Sequence, residues 1–532
     1  MANHDLIKIE QHLKASEFEL AEKHALRMRT DEATRQSVLA SIALKAGDRQ
    51  RSEVLFQRAL ALNPDHALAL ANYTKLLVSQ RKFKAALSFA EKAYKASPLE
   101  ESIALTYVQC LAESDRFQDA TKVLAAYLER PNPSVAVILA QSSVLRADLR
   151  PQESLYLLER HIPHHEGNAE LERALADVYA ELDPVVALEH FKKLEGKKEN
   201  IQATWNRSFV ELRLRRFNEG WLHYEAGLDE KIGKIGRPLP AQVRGLPVVT
   251  TLEQLDPSKW TIFVAEQGLG DQVLFLGALR EAFQDVPHAA YIGEERLTPI
   301  LARSFPGLPI YPYAMGLNLA KHRHRINGLF PIGSLQKIYR NSEEKFRQNE
   351  FPYLKPNPDL VNRYRDKLKA KAGDKPLIGL SWRGGFWDRQ KRTKSFDLEL
   401  FAPMMKALGA EFISLQYGDV KEEREYRRAN GLPLTFVEGI DFKKEIDAWF
   451  AIACACDHIV SVSTALVHFC GAAGRSVDLL LGDGQSPFIW GTESGPSIAY
   501  PSVSVHRKSK EESAEEYFNR VTESVKCRFT QS

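Results

Sequence analysis

The sequence predicts an α-helical solenoid followed by a two-lobed α/β region with parallel sheets. Prolines and alanines recur at a fixed interval in the first part of the chain, and strand-like and helix-like segments alternate in the second part. The 532 residues also exceed the ~250 to 300 at which a single core stops growing. The predicted units are a helical domain (1–230), a linker (231–255), two lobes (256–370 and 371–510) and a terminal helix (511–532).

The helical part contains an internal repeat. The segments FQRALALNPDHALALANYTKLL and FAEKAYKASPLEESIALTYVQCL align with Pro64 and Pro98 in register, 34 residues apart, and Ala59 then corresponds to Ala93. Small residues let the two helices of a unit approach closely, and a proline ends the second helix. This period is that of the tetratricopeptide repeat. A peptide or protein is the expected ligand of such an array.

Composition excludes several classes of protein. The formal net charge of +3 gives no global field of the kind that binds nucleic acid, so no nucleic-acid partner is expected. The N-terminal residues lack the apolar segment of a signal peptide, and no run approaches ~18 uncharged apolar residues. We therefore expect a cytoplasmic protein without an integral membrane segment.

The five cysteines are too few and too scattered for a disulfide framework. Cys454, Cys456 and Cys470 lie close together in the sequence, which raises the possibility of a metal site. Zinc-binding pairs usually have two to four residues between the ligands, and no partner set completes this one. Ordinary buried small residues are therefore the favoured interpretation, and no metal is expected.

The second half alternates between strands and helices. WTIFVAE, PLIGLSW, EFISLQY, HIVSVS and VDLLLG are strand candidates, and helical stretches such as QVLFLGALREAF and EIDAWFAIACA separate them. This alternation predicts parallel sheets. In two-lobed α/β enzymes, ligands bind in the crevice at the carboxyl ends of the strands, so the loops after these strands are the candidate sites.

The glycine loop EQGLGD follows the first of these strands. Gly268 and Gly270 allow the backbone to turn sharply and to expose amide donors at the start of a helix. Asp271 is either a helix cap or a crevice carboxylate that takes a proton from a substrate hydroxyl. Glu266 is a second candidate for such a base.

The segment VSVSTALVHFCGAAG predicts a strand that leads into a helix. Ser463, Thr464 and Ala465 occupy the helix start, where hydroxyls and free amides form an anion site suited to a nucleotide diphosphate. A simple Ser/Thr cap is the alternative. His468 by itself is more typical of a structural histidine than of a catalyst.

The loop SWRGGFWDRQKRTKSFD follows another strand and is strongly basic. Arg383, Arg392 and Lys394 could neutralise a leaving diphosphate, and a solvated charged loop is the alternative. Gln416, in the segment SLQYGD at the end of a neighbouring strand, could contact a base or ribose.

Together these segments resemble the family of tetratricopeptide-repeat glycosyltransferases related to ADP-heptose:lipopolysaccharide heptosyltransferases. The resemblance rests on FNEGWLHYE, EQGLGDQVLF, IGLSWRGG, FISLQYGD and DHIVSVSTALVHFCGAAG, which occur in the family's order. It implies a GT-B fold and a metal-independent transfer from a nucleotide-sugar donor, with no further cofactor. By position it implies Asp271 as base, Lys394 or Arg392 as a diphosphate contact, Gln416 as a nucleotide contact, and Ser463, Thr464 and His468 as the donor pocket.

The sequence departs from the family pattern in two places. Ser463 stands where the family usually has Asp, and Ser476 stands where it usually has Pro. The lost carboxylate leaves the identity of the donor sugar open. The expected activity is sugar transfer to Ser or Thr of a protein held by the repeats, with flagellin as one candidate. The alternatives are transfer to a cell-envelope glycan or lipopolysaccharide precursor, and an inactive scaffold.

Overall fold

The computed structural model of the protein consists of two compact units, Met1–Val178 and Tyr179–Ser532. The first unit is helical, and the second contains two largely parallel sheets together with helices. The structure describes residues 2–194, 200–384, 394–482 and 487–530.

Consecutive helices of the first unit pack in pairs around small buried side chains, among them Ala59 and Ala93. Backbone of positive φ recurs at 34-residue intervals, at the turns that join the helices of a pair: Gly47, Arg81, Asp115 and Leu149. These turns confirm the predicted repeat period. The helices are α1 (Ala2–Lys14), α2 (Phe18–Arg27), α3 (Glu32–Lys45), α4 (Arg49–Leu62), α5 (Ala67–Ser79), α6 (Phe83–Ala96), α7 (Glu101–Ala112), α8 (Phe117–Leu128), α9 (Val135–Ala147) and α10 (Pro151–His161).

Helices that precede the first sheet share its core. Trp205, Trp221 and Tyr224 belong to the same buried cluster as Phe275, and Trp221 Nε1 donates to the carbonyl of Arg340 at 3.0 Å. These aromatic helices are therefore part of the second compact unit, while the predicted domain boundary at residue 230 stays a prediction. The helices of this core are α13 (Ile201–Arg213) and α14 (Phe217–Tyr224). Before them come α11 (Ala169–Leu182), which spans the boundary between the two compact units, and α12 (Pro184–Lys192).

The first sheet is parallel, with the order β3-β2-β1-β4. Its order reverses at β1, whose last four residues are buried. In open parallel sheets the crevice at such a reversal is the usual ligand site. The elements are β1 (Trp260–Val264), α15 (Leu269–Phe275), α16 (Leu279–Asp285), β2 (Ala289–Gly293), α17 (Thr298–Ser304), β3 (Ile310–Pro312), β4 (Ile326–Pro331), α18 (Gln336–Tyr339) and α19 (Glu343–Arg347).

The second sheet has the order β10-β11-β9-β8-β5-β6-β7 and is parallel except for β10. Its order reverses between β5 and β8. The elements are α20 (Pro358–Ala372), β5 (Leu377–Ser381), α21 (Leu398–Ala407), β6 (Glu411–Ser414), α22 (Lys421–Asn430), β7 (Leu434–Phe436), α23 (Ile446–Ala455), β8 (His458–Val462), α24 (Ala465–Ala472), β9 (Val477–Leu481), β10 (Gly495–Pro496), β11 (Val503–Arg507) and α25 (Ala514–Thr530). The predicted fold class, a helical solenoid followed by an α/β region with parallel sheets, is confirmed.

Cys454, Cys456 and Cys470 are free and buried, as the favoured interpretation expected. Burial raises the pKa of the Cys454 thiol to about 12, so the protonated form predominates at neutral pH. Within the described ranges no group of His, Cys, Asp and Glu is arranged to hold a metal ion. No helix in those ranges has the length and apolar character needed to cross a bilayer.

Candidate active site

The candidate site lies where both sheets reverse their strand order. The glycine loop follows β1, and the loops after β5 and β8 approach it from the second sheet. Within the glycine loop, Gln267 has a φ of 67°, a left-handed conformation that costs a non-glycine residue energy. Its side-chain amide donates to the carbonyl of Gly236 at 2.7 Å, which helps to hold this conformation. No pattern in the sequence predicted this backbone conformation.

Helices α15 and α24 approach each other at Gly270. A Cβ atom on Gly270 would lie 2.9 Å from Cδ2 of His468 and 3.6 Å from Cα of Ala465. Real Cβ contacts are longer than the first of these distances, so only glycine fits here without a shift of the imidazole. The predicted loop glycine therefore serves close packing between the two lobes.

Asp271 lies in the first turn of α15 and is half-buried. Burial raises the pKa of its carboxyl group to about 6, against the opposing effect of the positive charge on Lys394. The negative charge on Glu266 adds to the increase. A carboxyl group with a pKa this close to neutrality is suited to accept a proton in a reaction.

Lys394, from the β5 loop, is close enough to Asp271 for the two charges to interact. Burial lowers the pKa of its ammonium group, while the charge on Asp271 acts in the opposite direction. Lys394 also contributes to the low pKa of His468, which burial brings down to about 3. Asp271, Lys394 and His468 are therefore near neighbours drawn from both lobes. Arg392, the alternative to Lys394 in our prediction, lies outside the described residues.

The start of α24 carries a polar group without a partner. The hydroxyl of Ser463 accepts a hydrogen bond from Trp490 Nε1 at 3.0 Å. Thr464 is the buried N-cap residue of this helix, but its side chain makes no capping hydrogen bond. Its Oγ1 has no hydrogen-bond partner in the described part of the chain. Because buried polar groups are normally satisfied, such a hydroxyl at a helix N-terminus indicates a place for an anionic ligand.

Gly384 brings the β5 loop against this helix start. A Cβ atom on Gly384 would lie 3.0 Å from the carbonyl oxygen of Ser463 and 3.3 Å from that of Lys394. The exit of β5 and the exit of β8 are therefore in close backbone contact. This contact places the backbone of Lys394 next to the helix start.

Gln416 and Arg383 make contacts within the β5 loop, and their predicted contacts with a donor stay predictions. Oε1 of Gln416 accepts hydrogen bonds from the backbone amides of Trp382 and Arg383, at 3.0 and 2.8 Å. Its Nε2 donates to the carbonyl of Arg383 at 3.1 Å. The Arg383 guanidinium forms an ion pair with Glu423 at 2.8 Å. Both side chains therefore stabilise the conformation of the β5 loop, and each uses some of its polar atoms for contacts within the protein.

Glu266 is part of a buried ion pair, which argues against its predicted role as a second base. Its carboxylate accepts hydrogen bonds from Arg237 at 2.7 Å and from the amide of Gly333 at 2.9 Å. Arg237 also pairs with Glu225 at 2.7 Å. Desolvation alone would lower the pKa of Arg237, but the two carboxylates together raise it above its usual value. Both oxygens of the Glu266 carboxylate thus accept hydrogen bonds from structural groups.

Two aromatic residues near His468 were missed by sequence reasoning. The hydroxyl of Tyr500 is 2.9 Å from His468 Nδ1, and the Trp490 ring centroid is 5.0 Å from that of the imidazole. Both residues follow β9, in segments without a motif. Only the tertiary fold brings them to the site.

Part of the chain is similar to a known repeat family, and most of it is similar to a bacterial protein. Residues 77–141 match the family model of the tetratricopeptide repeat. Protein FlbA of Caulobacter vibrioides (strain ATCC 19089 / CIP 103742 / CB 15) is 26% identical over 496 residues, which cover 88% of this chain and 79% of that protein.

Two solved structures show distant similarity. Escherichia coli ADP-heptose lipopolysaccharide heptosyltransferase II is 14% identical, with a TM-score of 0.38, and covers 51% of this chain and 99% of its own. A tetratricopeptide repeat protein from Parabacteroides merdae ATCC 43184 is 15% identical, with a TM-score of 0.38, and covers 44% of this chain and 93% of its own.

Proposed function

We propose that the second unit is a glycosyltransferase that moves a sugar from a nucleotide-sugar donor to a hydroxyl group of a protein. The observation that supports this proposal is that Asp271 and Lys394 act on each other's charge beside a helix start where the hydroxyl of Thr464 has no hydrogen-bond partner among the described residues. Among the described residues, neither Asp271 nor Lys394 has an ion-pair partner within 4 Å. A base, a cation and an anion-binding helix start fit a reaction in which a hydroxyl is deprotonated while a diphosphate departs.

The proposed reaction uses each of these groups once. The acceptor hydroxyl oxygen forms a bond to the anomeric carbon of the sugar, and the bond from that carbon to the diphosphate oxygen breaks. The hydroxyl proton passes to Asp271. The ammonium of Lys394, the hydroxyl of Thr464 and the first amides of α24 stabilise the charge on the departing diphosphate, in place of a metal ion.

In this proposal the first unit binds the protein acceptor. The tetratricopeptide-repeat match over residues 77–141 supports a peptide-binding surface. Joining such a surface to a transferase raises the effective concentration of the acceptor at the reacting group. Flagellin is the first acceptor that we would test. A cell-envelope glycan is the alternative acceptor, and an assay of sugar transfer can be run with both.

The donor site can be tested by thermal unfolding in the presence of nucleotide sugars and nucleoside diphosphates. A ligand at 100 times its Kd stabilises the native state by about 2.7 kcal/mol, which is readily measured. We expect one nucleotide class to raise the Tm, and Lys394→Met and Thr464→Val to reduce that increase. Lys406→Met, at an exposed lysine of the same lobe, is the matched control. Absence of any increase in a folded protein would contradict the proposal.

Thr464→Val is informative in this test because it should weaken donor binding without destabilising the folded protein. Replacing a buried hydroxyl that has no partner by an isosteric methyl group is expected to be neutral or stabilising in the free protein. The variant should therefore fold at least as well as the natural protein and bind the donor less tightly.

The acceptor role can be tested by removing residues 1–178, the first compact unit. Truncation at residue 230 would instead remove Trp205, Trp221 and Tyr224 from the core of the sheet region. We expect the shortened protein to bind the donor normally and to lose transfer to protein. Unchanged transfer to protein would exclude capture by the repeats, and transfer to a glycan alone would favour the alternative acceptor.

A further inference from the structure

The segment predicted as a linker holds the glycine loop through two consecutive residues. The carbonyl of Gly236 accepts a hydrogen bond from Nε2 of Gln267 at 2.7 Å. The guanidinium of Arg237 donates to the carboxylate of Glu266 through Nε at 3.0 Å and through Nη2 at 2.7 Å. Two neighbouring linker residues therefore bind two neighbouring loop residues, one through a backbone carbonyl and one through a side chain.

Arg237 is itself fixed by the end of α14 and the residues that follow it. Its backbone amide donates to the carbonyl of Gly227 at 2.6 Å, and its Nη1 donates to Glu225 at 2.7 Å. The guanidinium also lies over the ring of Tyr224, 4.7 Å from the ring centroid. Gly236 lies so close to the carbonyl oxygen of Gly227 that a Cβ atom on Gly236 would overlap it. Because Arg237 is only 1% exposed and has partners on both sides, it forms a fixed support for the loop.

The loop conformation that the linker supports sets the position of Asp271. Oδ2 of Asp271 lies 3.2 Å from the place that a Cβ atom on Gly268 would occupy, so the carboxylate turns back over the residue that follows Gln267. Gln267 has a φ of 67°, a conformation that a non-glycine residue keeps only when its surroundings impose it. The contacts with Gly236 and Arg237 supply this constraint. Without them the loop backbone would relax, and the carboxylate of Asp271 would move with it.

We propose that Arg237 and Gln267 are positioning residues of the transferase, and that the linker is therefore part of its active site. This inference rests on the proposed function. Arg237 is buried, and the side-chain amide of Gln267 donates to the linker, so both act on the substrate only through Asp271. A displacement of a reacting group by about 1 Å costs an enzyme about 10²-fold in rate, so the support of this loop bears directly on catalysis.

Gln267→Gly tests the proposal without removing either partner of the buried ion pair. Glycine adopts a φ of 67° without strain, and this gain offsets its greater freedom in the unfolded chain, so the Tm should change little. The hydrogen bond to Gly236 is lost. We expect kcat to fall about 10- to 100-fold, with the Kd for the nucleotide donor unchanged. A natural kcat in the folded Gln267→Gly protein would overturn the proposal.

Arg215→Gly is the matched control. Arg215 has a φ of 60° at the turn between α13 and α14, and its guanidinium lies 3.5 Å from Glu343 in an exposed pair. The same relief of backbone strain is thus introduced outside the glycine loop and the linker. We expect the natural kcat and the natural Kd for the donor. A fall in kcat as large as that of Gln267→Gly would attribute the effect to the glycine itself and overturn the proposal.

Arg237→Lys tests the linker side of the contact. Lysine keeps the positive charge, but its single ammonium group cannot bind Glu266 in two places and Glu225 at the same time. We expect kcat to fall about 10-fold or more, again without a change in the Kd for the donor. A natural kcat in Arg237→Lys would overturn the role of Arg237.

The position of Asp271 can also be measured without substrate. Burial disfavours the charged carboxylate, so Asp271→Asn should raise the Tm of the natural protein at pH 7.5. In Gln267→Gly the carboxylate is free to turn toward solvent, and the same substitution should raise the Tm less. An equal increase in both proteins would overturn the proposal. If the increase is smaller as expected but no nucleotide sugar binds the natural protein, the support of the loop is confirmed and the proposed function is refuted.

Discussion

Asp271 of the first lobe and Lys394 of the second lobe each favour the charged form of the other. Burial raises the pKa of the carboxyl group to about 6 and lowers that of the ammonium group, while the attraction between the two acts against both shifts. The attraction between the two groups therefore favours their charged forms, which burial disfavours. Shifted pKa values of this kind cluster at functional sites.

The first prediction concerns the stability cost of Asp271. Its folded pKa is raised, so the folded state binds its proton more tightly than the unfolded state, and stability falls as pH rises from about 4 to about 6. Asp271→Asn should therefore be more stable than the natural protein at pH 7.5, by about 1 to 3 kcal/mol, and no more stable near pH 4. Thermal unfolding at both pH values measures this difference.

A control separates this effect from general charge removal. Asp366→Asn changes an exposed carboxylate on α20 and should leave the Tm unchanged. If Asp271 only caps its helix, Asp271→Asn would instead leave stability unchanged or lower it at pH 7.5.

The second prediction concerns the pH dependence of transfer. A base with a pKa of about 6 must lose its proton to act, so kcat/KM should rise as pH passes through about 6. Lys394→Met removes the charge that lowers the pKa of Asp271, so the rise should move to higher pH. Lys394→Arg should leave it near its original position. If the rise in kcat/KM stayed at the same pH or moved to lower pH in Lys394→Met, the charge of Lys394 would not act on the pKa of the base.

The third prediction concerns Glu266. Glu266→Gln leaves the buried Arg237 without its main partner, and breaking a buried pair in this way costs about 3 to 5 kcal/mol. Denaturant unfolding should show this loss. Glu343→Gln, in an exposed pair with Arg347, should change stability by less than about 1 kcal/mol. If Glu266→Gln had normal stability but no activity, the result would contradict a purely structural role and support Glu266 as a candidate base.

The fourth prediction concerns the contact between Gly270 and His468. Gly270→Ala places a methyl group against the imidazole at 2.9 Å, and overpacking of this kind costs about 1 to 3 kcal/mol. His468→Ala removes the obstacle, so the double variant should recover stability relative to Gly270→Ala alone. A double-mutant cycle on the Tm measures the coupling. Strictly additive effects would show that the two residues are not in contact.

Much of the fold followed from local patterns in the sequence. The spacing of Pro64 and Pro98 predicted the repeat, and the left-handed turns at the same interval confirm its period. The alternation of strand-like and helix-like segments predicted the parallel sheets. These signals are local because helix pairing and strand alternation are set by residues near one another in the chain.

The partners within the site could not be predicted in the same way. Arg237 lies in the predicted linker, and nothing in its sequence surroundings shows that it pairs with Glu266. Tyr500 reaches His468 across 32 residues of chain. Gln416 is part of a recognisable motif, yet its amide is used by backbone groups of the β5 loop. Contacts between distant segments depend on the packed fold, so a motif identifies a loop without assigning the role of each side chain.

The role of Asp271 as the general base is tested most simply by the rate of sugar transfer in Asp271→Asn, measured together with the affinity of this variant for the nucleotide donor. We expect donor binding close to that of the natural protein, and transfer slower by about 10²- to 10⁴-fold, the usual contribution of a general base. Transfer at the natural rate by a variant that binds the donor normally would contradict the assignment of Asp271 as the base.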